Sequence, residues 1–182
     1  YKEDIDQAND IIVKYSKLLR SSLIYSDRII ISLAEEINYI ENYLEIEKYR
    51  LEDKFTYTIE TDPAVNLDVS VPKMLIFTFV ENAVKHGIRH LKGNGFIHLS
   101  FLRDGRNLIV EIKDNGIGRE KAAKLKEGTT KKGIETVNKI LNYYKILKNR
   151  TITYEISNLH DNFDENPGTH VKIYIPYGYK KP

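Results

Sequence analysis

A chain of 182 residues has room for one globular domain with a helical attachment, which rules out a large multidomain enzyme. Hydrophobic residues at 41% and charged residues at 30% exclude a disordered chain, while 28 Lys and Arg against 26 Asp and Glu leave a charge of +2. That balance gives no ground for a nucleic-acid or membrane-surface partner, and the absence of cysteine excludes disulfide frameworks, thiolate-ligated metals and cysteine nucleophiles. The longest strongly apolar run, Met74 to Val80, falls far short of the roughly 20 residues of a membrane-spanning helix, and no signal peptide opens the chain, so a soluble piece is expected.

Apolar or small residues at Ile5, Ala8, Ile12, Tyr15 and Leu19 lay one stripe along a helix from about Lys2 to Leu23, widened by Ile11 and Leu18. After a break at Ser26-Asp27, a second seam runs through Leu33, Ile37, Ile40, Leu44 and Leu51, with Glu47 where an apolar residue is missing. Ser32 and Glu35 have capping-box spacing for this second helix. From Leu33 to Asp53 seven acidic residues face two basic ones, which reads as a solvated outer face. A helical hairpin alone buries little, so residues 1–52 are expected to form a homodimer by pairing into a four-helix bundle. The alternative is that the hairpin packs onto its own globular domain.

From residue 53 to 182 the texture is α+β. Phe55 to Ile59 and Leu67 to Val71 read as strands, and Pro72 stands where a helix can begin, continuing through the apolar run to Gly87. Ile97, Leu99 and Phe101, a turn at Asp104-Gly105, and Leu108, Val110 and Ile112 read as a hairpin. Residues 115–132 read as a long loop with one helical turn around Glu120 to Leu125, followed by a helix from Gly133 to about Leu147. Strands around Ile152 to Ile156 and Val171 to Ile175 complete a mixed or antiparallel sheet with helices on one face.

Three segments carry chemistry. In Val80 to Gly87, helical spacing puts Asn82, Lys85 and His86 on one face, a set suited to a hydrated magnesium ion and phosphate oxygens. The competing reading is an ordinary pair between Glu81 and Lys85 four residues apart. Asp114-Asn115-Gly116-Ile117-Gly118 ends a strand, where a carboxylate can accept from an exocyclic amine and glycines let the backbone approach a flat ring; a simple turn is the alternative. Pro167-Gly168-Thr169 opens the last strand and could set a small hydroxyl beside a base. Residues 119–150 hold ten Lys and Arg against three Glu, so a basic loop ahead of a helix start at Gly133 suits a polyphosphate. Neither a Walker loop nor a G-x-G-x-x-G fingerprint occurs, so a different ATP fold is required.

VENAVKHG around Asn82, DNGIG from Asp114, Gly133 and PGTHVKIYIP from Pro167 resemble, in order and spacing, the ATP-binding domain shared by histidine kinases, gyrase, the Hsp90 chaperones and MutL. LLRSSL from Leu18, SLAEEINYIENYLEIEKYR from Ser32 and VPKMLIFTFVENAVKHG further resemble the LytS-like sensor histidine kinases, and the likeness covers nearly the whole chain. The resemblance implies a two-layer α/β sandwich at 53–182 that binds ATP and Mg2+. It implies that Asn82 coordinates the metal with Lys85 and His86 near the phosphates, that Asp114 accepts the adenine amine, that Gly116 and Gly118 shape the base pocket and that Thr169 lies close to the adenine side. Residues 115–132 would be the ATP lid, and of the second glycine box that follows only Gly133 is retained.

The water-activating Glu of gyrase-like relatives corresponds to Thr78, which disfavours a hydrolytic cycle. None of His86, His90, His98, His160 or His170 is on the helical hairpin, so the resemblance implies a phosphoacceptor histidine upstream of the chain. The acidic run Asp161 to Glu165 lacks the glycine and terminal Glu of a calcium loop, and no metal is assigned to it. The expected function is the cytoplasmic kinase core of a bacterial inner-membrane sensor that passes a phosphoryl group to a response regulator. A serine kinase of the anti-sigma type and a non-catalytic, ATP-gated dimerisation module are the alternatives.

Overall fold

The computed structural model describes residues 2–24, 26–125, 129–160 and 166–177. The acidic run Asp161 to Glu165 therefore lies outside the described residues, as do positions 126–128 of the expected lid. Helix α1 (Lys2–Ile24) leads to a short strand β1 (Ile30–Ser32) and helix α2 (Leu33–Arg50). Strands β2 (Phe55–Thr61) and β3 (Ser70–Pro72) precede helix α3 (Leu75–Asn82), which continues as a π-helical segment, Ala83–Ile88. The hairpin β4 (Gly95–Asp104) and β5 (Asn107–Asp114), helices α4 (Arg119–Lys124) and α5 (Thr129–Lys148), and strands β6 (Thr153–Ser157) and β7 (Thr169–Pro176) follow.

The main sheet has the order β2-β4-β5-β7-β6, antiparallel except for the parallel pair β2-β4. Period-two alternation sends Leu99, Phe101, Leu108, Val110, Ile112, Ile173 and Ile175 to the face covered by α3 and α5, where all are buried. The opposite face is polar: Glu111 holds Lys113 at 2.8 Å, Lys172 at 3.4 Å and His170 at 3.6 Å. This is the mixed sheet with helices on one face that the sequence pattern implies.

Ser32 caps α2 as its spacing predicts: its Oγ accepts from the Glu35 N–H at 3.2 Å, and Glu35 Oε2 accepts from the Ser32 N–H at 2.8 Å. Four differences from the sequence reading matter. β1, only three residues long, pairs antiparallel with β3, and the Leu33 and Ala34 amides donate to Val69 and Leu67 carbonyls. Pro72 is consequently the last residue of a strand opposite Ile30, and the helix begins at Leu75 instead. α5 starts at Thr129, four residues ahead of the expected start, so Gly133 lies inside a helix. The acidic face of α2 is also not wholly solvated, because Glu36 and Glu47 are buried, the latter bonded to the Arg50 guanidinium.

The seam of α2 closes on its own chain: Leu33, Ile40 and Leu44 are fully buried in the same core as the sheet. α1 lies on α2 through Leu18, a Lys14–Glu45 ion pair at 2.8 Å and a Ser22–Tyr39 hydroxyl contact at 3.1 Å. Its own stripe is left open, with Ile12, Leu19 and Leu23 exposed by 62%, 62% and 76%.

Candidate nucleotide-binding cleft

The alternation that buries Leu108, Val110 and Ile112 carries on to Asp114, so the last side chain of β5 is a carboxylate on the core side of the sheet. Its register partner on β7 is Thr169, on the same face as Val171 and Ile173. Asp114 is 3% exposed; its Oδ1 accepts the Gly116 N–H at 2.9 Å and the carboxylate also accepts hydrogen bonds from Thr169. Burial pushes its carboxyl up to about 7, against the opposing pull of the Gly116 and Thr169 donors. A buried carboxylate with lone pairs to spare, at the floor of a cleft, suits a neutral ligand donor such as an exocyclic amine.

Several elements contribute to the cleft. Asn82 and His86 come from the α3 side, Asp114 and Ile112 from β5, Thr169 and Val171 from β7. Gly118 and Arg119 come from the start of α4, and Ile134 from α5. Of the predicted residues, Asn82, His86, Asp114, Gly118 and Thr169 therefore share one cavity. Gly116 lies beneath Asp114, with the Gly87 backbone so near that a Cβ on Gly116 would come within 2.3 Å of Gly87 Cα. Gly133 sits against Asn82, where an added Cβ would stand 3.2 Å from the amide nitrogen and 3.3 Å from its oxygen. Its lack of a side chain thus admits α5 beside Asn82, and it is not at a helix N-terminus as expected.

Lys85 does not line the cleft and pairs with Glu81 at 2.7 Å, the competing reading of that segment. The physical cause is the π-helical stretch that starts at Ala83, where Arg89 donates to the Val84 carbonyl five residues back. A π turn holds more residues than an α turn, so the third residue after Asn82 falls short of its face while the fourth, His86, stays near it. The sequence reading missed Arg119, which opens α4 and donates to the Ile156 carbonyl at 3.4 Å. Its position directly after the second glycine of DNGIG was the available signal.

Among the described residues no group of three or more His, Asp or Glu side chains could hold a metal. One amide oxygen in the wall of the cleft still fits magnesium, which keeps several waters and is held largely by substrate phosphates. Thr78, in the position of a water-activating Glu, is buried and donates its hydroxyl to the Met74 carbonyl at 2.6 Å.

A histidine kinase family model matches residues 1–55. Sensor histidine kinase YpdA of Escherichia coli (strain K12) is 34% identical over 113 residues, 62% of this chain and 20% of its own length. Sensor protein LytS of Staphylococcus saprophyticus is 29% identical over 183 residues, 96% of this chain and 29% of its own. The chain thus spans about a fifth to two fifths of the length of the curated relatives it matches. Among solved structures, the mycobacterial sensor histidine kinase MprB aligns over 81% of this chain and 96% of its own at a TM-score of 0.55 and 14% identity. The histidine kinase domain from Erythrobacter litoralis EL346 covers 96% of this chain and 81% of its own at 0.55 and 17%. Among the described residues no helix is long and apolar enough to cross a membrane. The chain is thus similar to LytS-like sensor histidine kinases, and its fold is that of histidine kinase domains.

Proposed function

We propose that the cleft binds Mg-ATP and that the chain is the kinase core of a two-component sensor, with the buried Asp114 at the cleft floor as the observation that carries the reading. Asp114 accepts the adenine amine, Gly116 and Gly118 let the backbone lie along the base, and Thr169 borders it. Asn82 offers its amide oxygen to magnesium on the phosphates, with His86 beside it, while Lys85 serves only from outside the cleft. Held there, the cation would supply charge neutralisation for the phosphoryl oxygens. The chain's residues orient the nucleotide so that a histidine nitrogen outside these 182 residues attacks the γ-phosphorus in line, ADP departing as the N–P bond forms. With no carboxylate at Thr78 to activate water, transfer to a protein acceptor is favoured over hydrolysis. The phosphoryl group then passes to a response regulator, and the parent protein is a membrane-anchored bacterial sensor whose nucleotide domain, 53–182, lies in the cytoplasm. The match of residues 1–55 to a histidine kinase model favours this over a serine kinase or a passive module.

Asn82→Ala is expected to weaken Mg-ATP binding at least tenfold, about 1.4 kcal/mol, in calorimetry, with metal-free ATP much less affected. Unchanged Mg-ATP affinity sinks the assignment of the phosphate end.

The helical segment 1–52 supplies the homodimer interface through α1, whose stripe of Ile12, Tyr15, Leu19 and Leu23 is exposed, while α2 buttresses the core. Replacing Leu19 and Leu23 together by Glu is expected to halve the mass seen in sedimentation. A wild-type chain that sediments as a monomer refutes the dimer.

A further inference from the structure

The helix that carries Asn82 begins without a cap of its own. Met74, at the N-cap of α3, sits at φ 65° and its side chain makes no capping hydrogen bond. A non-glycine residue enters that left-handed region at a cost, and the first amides of a helix need acceptors from elsewhere. The acceptor comes from α2. Glu36 Oε2 takes the Met74 N–H at 3.0 Å and Oε1 takes the Phe77 N–H at 3.1 Å. Glu36 is fully buried, and desolvation pushes its carboxyl up to about 7 while these amides pull the other way. An apolar residue could fill the site without that desolvation cost, so the carboxylate is informative for the link it makes.

Two aromatic contacts flank the link. Tyr39 and Tyr43, on the same helix as Glu36, each set a ring edge-on to Phe77 with centroids 5.0 Å apart. α2 therefore grips the first turn of α3 by a carboxylate and two rings, and Asn82 stands at the last position of that helix. α2 is in turn held by α1 through Lys14–Glu45 and Ser22–Tyr39. A small cleft lined by Ser22, Glu36, Tyr39, Lys73 and Met74 lies beside the grip.

We infer that Glu36 is a positioning residue for the nucleotide site: its carboxylate sets the placement of α3, and so of Asn82, and transmits movement of the α1–α2 pair to the cation end of the cleft. This link rests on the Mg-ATP reading given above. It acts at the Asn82 end and leaves the Asp114 end, on β5, untouched. α1 and α2 thereby reach the metal-binding end of the site without contacting nucleotide.

Titration calorimetry on the 182-residue chain, with ATP in the presence and absence of Mg2+, tests it. Glu36→Gln keeps the shape of the side chain but turns one acceptor into a donor facing backbone amides. The gain in affinity that Mg2+ confers is expected to fall at least fivefold in this variant, with metal-free ATP binding within twofold of wild type. Leu44→Ala, which opens a cavity in the buried face of the same helix without touching the link, is expected to keep the wild-type gain. An unaltered Mg2+ gain in Glu36→Gln, or an equal loss in Leu44→Ala, overturns the inference while leaving the nucleotide reading standing. A wild-type chain that binds no ATP refutes the nucleotide reading itself. If Glu36→Gln does not fold, hydrogen exchange decides on the wild type. The Met74 and Phe77 amides are expected to exchange at least fivefold more slowly with saturating Mg-ATP, and unchanged exchange overturns the link.

Discussion

Asp114→Asn is expected to weaken Mg-ATP binding at least tenfold, about 1.4 kcal/mol, while raising the midpoint of thermal unfolding at pH 8. Both outcomes come from one carboxylate. The amide oxygen can still accept from Gly116, but the new –NH2 group turns a donor toward the place where an exocyclic amine would sit. Stability moves the other way because the buried carboxyl is pushed from 3.8 up to about 7. Between those values the folded protein holds a proton that the unfolded chain has lost. Stability is therefore greatest below pH 4 for this group and falls as pH rises through the window, reaching its full deficit above about 7. Asparagine never ionises, so the stability gap between variant and wild type widens toward pH 8 and closes toward pH 4. An amine donor prefers the carboxylate, so wild-type affinity rises from pH 6 to 8 and the variant lacks that part of the slope. Calorimetry and thermal scans across the range check both, and equal affinity in variant and wild type sinks the role of Asp114.

Gly116→Ala is expected to lower stability by about 3 kcal/mol, at the upper end of the usual cost of overpacking. The added Cβ would stand 2.3 Å from Gly87 Cα and 2.5 Å from Gly87 C, and neither is the end of a flexible side chain that can swing aside. The loop after β5 and the π-helical segment meet there backbone on backbone, with the Ile117 N–H donating to the Gly87 carbonyl and the Gly168 N–H to the Gly116 carbonyl. Forcing them apart moves Asp114 from its partners and opens the cleft floor. For a chain of this size the loss corresponds to roughly 6–12 °C in melting temperature. Gly93→Ala, where a Cβ meets nothing within 4 Å, is the control and is expected to change stability by less than about 0.5 kcal/mol. Equal melting temperatures for the two variants would refute the close-approach argument.

Much of the cleft was legible in the sequence because its residues sit at the ends of regular elements. Asp114 and Thr169 extend the buried alternation of β5 and β7, so their facing follows from period two alone. Asn82 lies at the end of a helix marked by its apolar run. Lys85 was misplaced because three-residue spacing implies a shared face only on an α-helix, and nothing in AVKHGI announces the π turn. The same local view missed β1, since a three-residue strand carries too little pattern to distinguish it from a loop.

Local regularities, then, set the two helices at the start of the chain, the hairpin at Gly105, the capping box at Ser32 and the order of the segments that line the cleft. Each depends on neighbours within a few positions, and so is written in spacing. Long-range packing decided the rest. Glu36 reads as one more acid on a charged helix, yet the fold buries it on the amides of Met74 and Phe77. The α2 seam closes on the sheet's core while the α1 stripe stays open, although both carry similar apolar periodicity. Periodicity specifies that a face will be buried, and only the arrangement of all the elements determines what covers it.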